Sequence, residues 1–312
     1  MPAKFFLPNA ELQSTLEHVL EETWQTFPQL AQNQIAVTWI AYEPPYRVNT
    51  GGALSAEEFW RYQPQGASYR GVELVDPESV AKLFYLVAMH VWLEQGMVQP
   101  AEEIARALTD MMVDNSHDAL SYVLDVLSGT TSGPSLPPGP FETWQSQRNI
   151  VSRYFQQLGW PELRALNLNQ KIWCDRPYGR ERDSLGKTLE NRNQLTAEAI
   201  ARLLHSIVGG VSVSSARSQQ MMALLQRPSY IANRPFQPQR FIDKGLPNTA
   251  RVWSQAGVSH RVRHDAAYIE ASDRHPYLLV ILTEGEDQSA NSEIIPFVSE
   301  RILAAMSCFE TT

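Results

Sequence analysis

Cysteine is almost missing from this chain: its 312 residues hold two, Cys174 and Cys308, far apart and outside any C-x-x-C spacing. That excludes a disulfide framework and a zinc ribbon. Positive charge is also short. Lys plus Arg number 26 against 34 Asp plus Glu, a formal charge of −8, which disfavours nucleic acid and anionic membrane surfaces as partners. No apolar run is long enough to cross a bilayer; the longest, residues 83–93, is interrupted by His90. The first nine residues, M-P-A-K-F-F-L-P-N, carry one lysine and too short an apolar stretch for a signal peptide, so the expectation is a cytoplasmic protein. The histidines, His117 among them, show no H-x-x-H or H-E-x-x-H spacing, so neither a metal centre nor a cofactor is expected.

What is present is core material: 43% of the residues are hydrophobic, enough for one large domain or two smaller ones. Apolar residues recur at helical spacing over 10–27. The β-branched and aromatic run 35–42 and the segment 46–52 read as two strands. Helices are expected over 77–95, from 100 towards 112, over 116–127, 141–158 and 196–208, with a Ser/Gly/Pro-rich loop at 128–140. Residues 159–193 read as an unusually long irregular stretch, the kind that tends to carry function. Strands are expected at 251–254, 262–271 and 277–283, with a turn at 273–276, and a last helix at 296–306. Strands near both ends and helices between them predict an α+β fold: one antiparallel sheet built from the two ends of the chain, with a helical region inserted.

The stretch that carries chemistry is D-P-E-S-V-A-K-L-F at 76–84. Asp76 suits an N-cap and Pro77 a first helical position, so Ser79 is expected in a first turn, where its backbone N–H has no intrahelical acceptor. Such a donor, with the helix dipole behind it, stabilises a developing oxyanion. Lys82, three residues on, projects from the same face within reach of the Ser79 hydroxyl. Burial lowers a lysine pKa, and a neutral amine accepts the serine proton. By itself Ser-x-x-Lys is equally the polar edge of a solvated helix; the apolar run L-F-Y-L-V-A-M-H-V-W-L behind Lys82 makes this helix a buried one.

Further motifs follow in order: M-M-V-D-N at 111–115, G-K-T-L-E-N-R-N-Q-L-T-A-E-A-I-A-R-L-L at 186–204, then R-V-W-S-Q-A-G-V-S-H-R-V-R-H-D-A-A-Y-I-E and P-Y-L-L-V-I-L-T at 251–270 and 276–283. With P-E-S-V-A-K-L before them, the set resembles the serine β-lactamase and penicillin-recognising superfamily, in particular its class A branch. The resemblance implies one catalytic domain over 1–312, with an α/β part at about 1–75 and 210–312 and a helical part at about 76–209. It also implies Ser79 as nucleophile, Lys82 as base, Asn115 holding the substrate or the lysine, and the Ser79 and Val258 N–H groups as an oxyanion hole.

The departures from that family bear on function. Val113 stands where the resemblance implies a proton-relaying serine, and Gln255-Ala256-Gly257 replaces Lys-Thr-Gly, removing the cation and hydroxyl that bind a substrate carboxylate. In W-P-E-L-R-A-L-N, Glu162 and Leu166 are one residue too far apart for the family's Glu-x-x-Leu-Asn, leaving Glu162 either a water-activating or a structural group. The spacing from Ser79 to Val113 is short, which implies a more open cleft. Gln255, Gly257, Arg263, His264 and Tyr178 are the substrate-binding candidates. Of the neighbours Arg263 and His264 only one can face the cleft, and either is equally a strand-edge charge paired with Asp265 or Glu270. Tyr178, Arg180 and Glu181 are equally parts of a salt-bridged structural loop. The expectation is a serine hydrolase acting on an amide or ester of a small-molecule or peptide-like substrate through a Ser79 acyl-enzyme, and a poor β-lactamase. The alternative is a β-lactamase-fold pseudoenzyme serving as a binding module.

Overall fold

A computed structural model describes residues 4–42, 48, 54–173, 176–227, 241–272 and 274–306. A two-residue strand, β1 (Leu7–Pro8), leads into α1 (Ala10–Thr26), whose first donors are capped by the Asn9 side chain and which buries Leu12, Leu16, Val19 and Leu20 on one face. β2 (Ile35–Ala41) is buried along its whole length, as its β-branched and aromatic composition requires. A capping box between Ser55 and Glu58 opens α2 (Ala56–Arg61), and β3 (Gln65–Tyr69) follows. The expected strand at 46–52 lies outside the described residues except for Val48; the hairpin partner of β2 is β3.

Residues Glu78–Ala81 form a 3₁₀ turn, and α3 (Lys82–Glu94) continues from it, buried from Lys82 to Trp92. Next come α4 (Glu102–Met112) and α5 (His117–Ser128), the latter closed by Gly129 at φ 63°. The single helix expected over 141–158 is two, α6 (Pro138–Arg148) and α7 (Ile150–Gln157). Asn149, at φ −82° and ψ 10°, breaks the run. The long stretch after α7 contains a short helix, α8 (Gly179–Ser184). It is bolted down by charge: Glu181 pairs with Arg148 at 2.6 Å, Lys171 with Asp125 at 2.7 Å, and Arg180 donates to Pro134 O at 3.1 Å. The structural-loop reading of Arg180 and Glu181 is the one observed.

The buried helix α9 (Ala197–Val208) is followed by α10 (Ser215–Leu225), β4 (Gln226–Arg227), β5 (Arg251–Val258), β6 (Val262–Glu270), β7 (Tyr277–Glu284), α11 (Glu286–Ala290) and α12 (Ile294–Met306). The strands form one sheet in the order β1-β3-β2-β7-β6-β5-β4, antiparallel except for the β1–β3 pair. Side-chain alternation splits the core in two. On one face Val37, Trp39, Val252, Ala256 and Ile281 pack under α1 and α12; on the other Ile40, Trp253, Tyr268 and Leu282 pack against α3 and α9. β5 continues four residues beyond the expected Ser254, because its pairing with β6 runs to Val258 opposite Arg263. That extension brings the strand end to the 3₁₀ turn holding Ser79.

Candidate active site

The turn before α3 is held in an uncommon backbone. Glu78, not a glycine, sits at φ 46°, a left-handed conformation found mainly where the surroundings impose it. Here Asp76 Oδ1 accepts the Glu78 N–H at 3.1 Å and Pro77 O accepts the Val80 N–H at 3.0 Å. A second pin comes from β6. His264 is fully buried; its Nδ1 accepts the Thr283 N–H at 3.1 Å, so Nε2 carries the proton and donates to Asp76 O at 2.8 Å. Burial holds this imidazole below its ordinary pKa, keeping it neutral.

These restraints press Ser79 against β5 at Gly257. A side chain at position 257 would meet Ser79 N at 3.0 Å and Val80 N at 3.2 Å, so glycine is what allows the contact. Ser259 N–H donates to Val262 O at 3.0 Å. In antiparallel pairing the preceding residue, Val258, therefore directs its N–H away from β6. Among the described residues the Ser79 N–H has no hydrogen-bond acceptor.

Three side chains with acid–base chemistry meet at this turn. Lys82, fully buried on α3, donates to Asn115 Oδ1 at 2.6 Å and to Asn115 O at 2.8 Å. Burial lowers its pKa to about 7, against the opposing pull of the Glu78 charge. Asn115 is itself at φ 55°, in the turn between α4 and α5, which aims both its oxygens at one amine. The Ser79 hydroxyl does not share that amine. It donates instead towards Glu78 Oε1 at 3.5 Å, whose carboxyl burial and the neighbouring Asp76 push up to about 7, with Lys82 and Ser79 pulling the other way. The expected Lys82–Ser79 hydrogen bond is thus replaced by Lys82–Asn115, because Ser79 lies in a 3₁₀ turn ahead of the helix rather than one α-turn below the lysine. His117, in the first turn of α5, is held below its ordinary pKa by partial burial and by the Lys82 charge.

Gln255 joins the group: its Nε2 lies 3.4 Å from Asn115 Oδ1 and donates to Ala256 O at 3.0 Å, while Arg227 Nη2 reaches Gln255 Oε1 at 3.4 Å. Ser79, Lys82, Asn115, Gln255 and Gly257 therefore come together as the sequence suggested. Four residues do not. His264 has both ring nitrogens committed to backbone and positions the Ser79 turn instead of meeting a substrate. Arg263 points to the opposite face of the sheet, stacked 4.5 Å over Phe241 with Nε on Ser289 O at 2.9 Å. Tyr178 is 70% exposed, edge-on to Trp173. Glu162 is buried in an ion pair with Arg202 at 2.6 Å and accepts the Phe5 N–H at 3.4 Å, a structural role.

Residues 146–306 match the model of the Beta-lactamase enzyme family (Beta-lactamase2), 161 of the 312 residues. The chain belongs to this family. The matched span includes Gln255, Gly257 and Val258 and begins beyond Ser79, Lys82 and Asn115. Solved structures give the same fold over nearly the whole chain. PBP-A is 14% identical with a TM-score of 0.60, covering 97% of this chain and 98% of its own. An acyl-enzyme complex of a PBP-A mutant with penicillin G is 15% identical with a TM-score of 0.63, covering 99% and 100%. A beta lactamase from Burkholderia vietnamiensis is 14% identical with a TM-score of 0.61, covering 97% and 98%. No curated protein matches the chain. The fold is thus the class A β-lactamase-like one, and the residue it hid from sequence reading is Glu78. Its adjacency to Ser79 was legible; the positive φ that turns its carboxyl to the serine hydroxyl was not.

Proposed function

We propose that the protein is a serine hydrolase that cleaves a neutral amide or ester through a Ser79 acyl-enzyme. The observation that carries this reading is a buried lysine held near neutrality three residues from a serine whose own N–H is unpaired among the described residues and packed on Gly257. For attack the Ser79 hydroxyl turns from Glu78 to the Lys82 amine: Oγ attacks the carbonyl carbon, its proton passes to that amine, and the oxyanion is met by the N–H groups of Ser79 and Val258. The C–N or C–O bond then breaks, the leaving group taking the proton from Lys82. Asn115 keeps the amine in place between the steps.

Absence of charge in the substrate follows from what surrounds Ser79. Gln255 and Ala256 offer neither the cation nor the hydroxyl of the Lys-Thr-Gly pattern, Arg263 faces the other side of the sheet, and the Arg227 guanidinium beside Gln255 is engaged by Met112 O and Ser254 O. A small-molecule or peptide-like substrate without a carboxylate next to the scissile bond fits these groups best, and β-lactams, which carry one, fit poorly. Val113 and the Lys82–Asn115 bond favour a second reading, a binding module that no longer turns over. Steady-state hydrolysis of p-nitrophenyl acetate, compared with Ser79→Ala and Lys82→Met, separates the two. We expect turnover by the wild type, its loss in Ser79→Ala, and a fall of about 100-fold or more in Lys82→Met with KM little changed. Equal rates in all three would sink the hydrolase.

A further inference from the structure

The proposed acyl-enzyme needs a group to activate the water that releases it, and the site lacks the family's usual one: Glu162 is consumed by Arg202 and Phe5 N–H. We propose, on the basis of the hydrolase reading above, that Glu78 is the catalytic base of deacylation. Its carboxylate takes a proton from the attacking water as the water oxygen bonds to the acyl carbon. The carbon–Oγ bond then breaks and the proton passes from Glu78 to Ser79 Oγ, restoring both groups.

Four observations place Glu78 in this role. Its Oε1 lies 3.5 Å from Ser79 Oγ, and among the described residues no other carboxylate is hydrogen-bonded to that hydroxyl. Its backbone is held at φ 46° by Asp76 and, through Asp76 O, by His264, a strained conformation kept where the surroundings over-determine it. Glu78 is a half-buried residue, unlike the buried Ser79 and Lys82, so part of it remains open to solvent. The charged and titratable groups around it are Asp76 in the same turn, Lys82 on α3 and, beyond Lys82, His117 on α5, with His264 of β6 neutral against Asp76 O. Burial and Asp76 raise the carboxyl to about 7 while Lys82 restrains the shift, which makes it a base of useful strength at neutral pH.

Glu78 also explains how the site works with one lysine and no serine at 113. Lys82 serves the acylation step, held by Asn115; Glu78, next to Ser79 in the turn, serves hydrolysis.

Burst kinetics with p-nitrophenyl acetate, read together with intact mass, test this in wild type, Ser79→Ala and Glu78→Gln. In Glu78→Gln we expect the burst to persist, steady-state turnover to fall about 100-fold, and the acetyl adduct on Ser79 to accumulate. In wild type the deacylation rate should rise with pH through an inflection near 7, and this limb should vanish in Glu78→Gln. A Glu78→Gln enzyme that bursts and turns over like wild type overturns the role of Glu78 and leaves the acyl-enzyme standing. A folded wild type with no Ser79-dependent burst overturns the acyl-enzyme, and Glu78's role with it. Should Glu78→Gln fail to fold by circular dichroism, the wild-type profile decides, and a deacylation rate flat between about pH 6 and pH 8 contradicts the proposal.

Discussion

A methyl group at position 257 would meet the Ser79 backbone nitrogen at 3.0 Å and that of Val80 at 3.2 Å. Both are backbone atoms of a turn pinned by Asp76 and His264, so neither moves aside without shifting the nucleophile. Gly257→Ala should therefore lower kcat/KM for p-nitrophenyl acetate by about 10- to 100-fold, since misplacement of this order is costly to reacting groups, while the overpacking costs about 1–3 kcal/mol of stability. Kinetics and thermal melting on the same preparation check it; an alanine variant with wild-type kcat/KM would show that the strand does not position Ser79. At this scale the sequence was informative about identity and poor about direction. Ser79 and Lys82 could be picked from their spacing on a buried helix, and Asn115 through the family resemblance. That one of Arg263 and His264 faces the Ser79 side followed from strand alternation, but that the histidine would be spent on Asp76 O and Thr283 N–H depends on contacts far apart in the chain.

Helix α3 shows how one element serves both core and site. Its first residue is Lys82, and eight residues on His90 is buried with both ring nitrogens unpartnered among the described residues, lining a cavity of about 380 Å³ with Leu93, Ile104 and Leu108. Burial lowers the His90 pKa from 6.5 to about 4, with a smaller push from Arg217. Between those values the unfolded chain binds a proton that the folded chain does not, so His90 makes stability fall as pH drops, by up to about 1.4 kcal/mol per pH unit. His90→Leu removes this liability and breaks no hydrogen bond. The variant's stability relative to wild type should rise as pH falls from about 7 to about 4.5, measured by urea unfolding at both; an unchanged difference contradicts it. The buried apolar character of α3 was plain in its sequence. The break at Asn149 and the helices α2, α8 and α10 were not, because each is short or weakly patterned and is set by tertiary packing.

Across the whole molecule, the sheet brings β5 and β6 from the C-terminal third against a turn near residue 79, and the active-site candidates exist only because of that closure. The α+β class and the pairing of both chain ends in one sheet could be read from the placement of β-branched runs around a helical middle. The partner of Glu162 could not: Arg202 lies forty residues on, and only the folded chain shows that the pair is structural. The same closure sets Ser79 between Glu78, Lys82 and Gly257, and the proposed activity requires that serine to form a covalent intermediate. Intact-mass analysis after incubation with a fluorophosphonate tests this most directly. One adduct per folded wild-type chain, absent from folded Ser79→Ala, is the predicted result; no adduct on folded wild type, or the same adduct on Ser79→Ala, would contradict it.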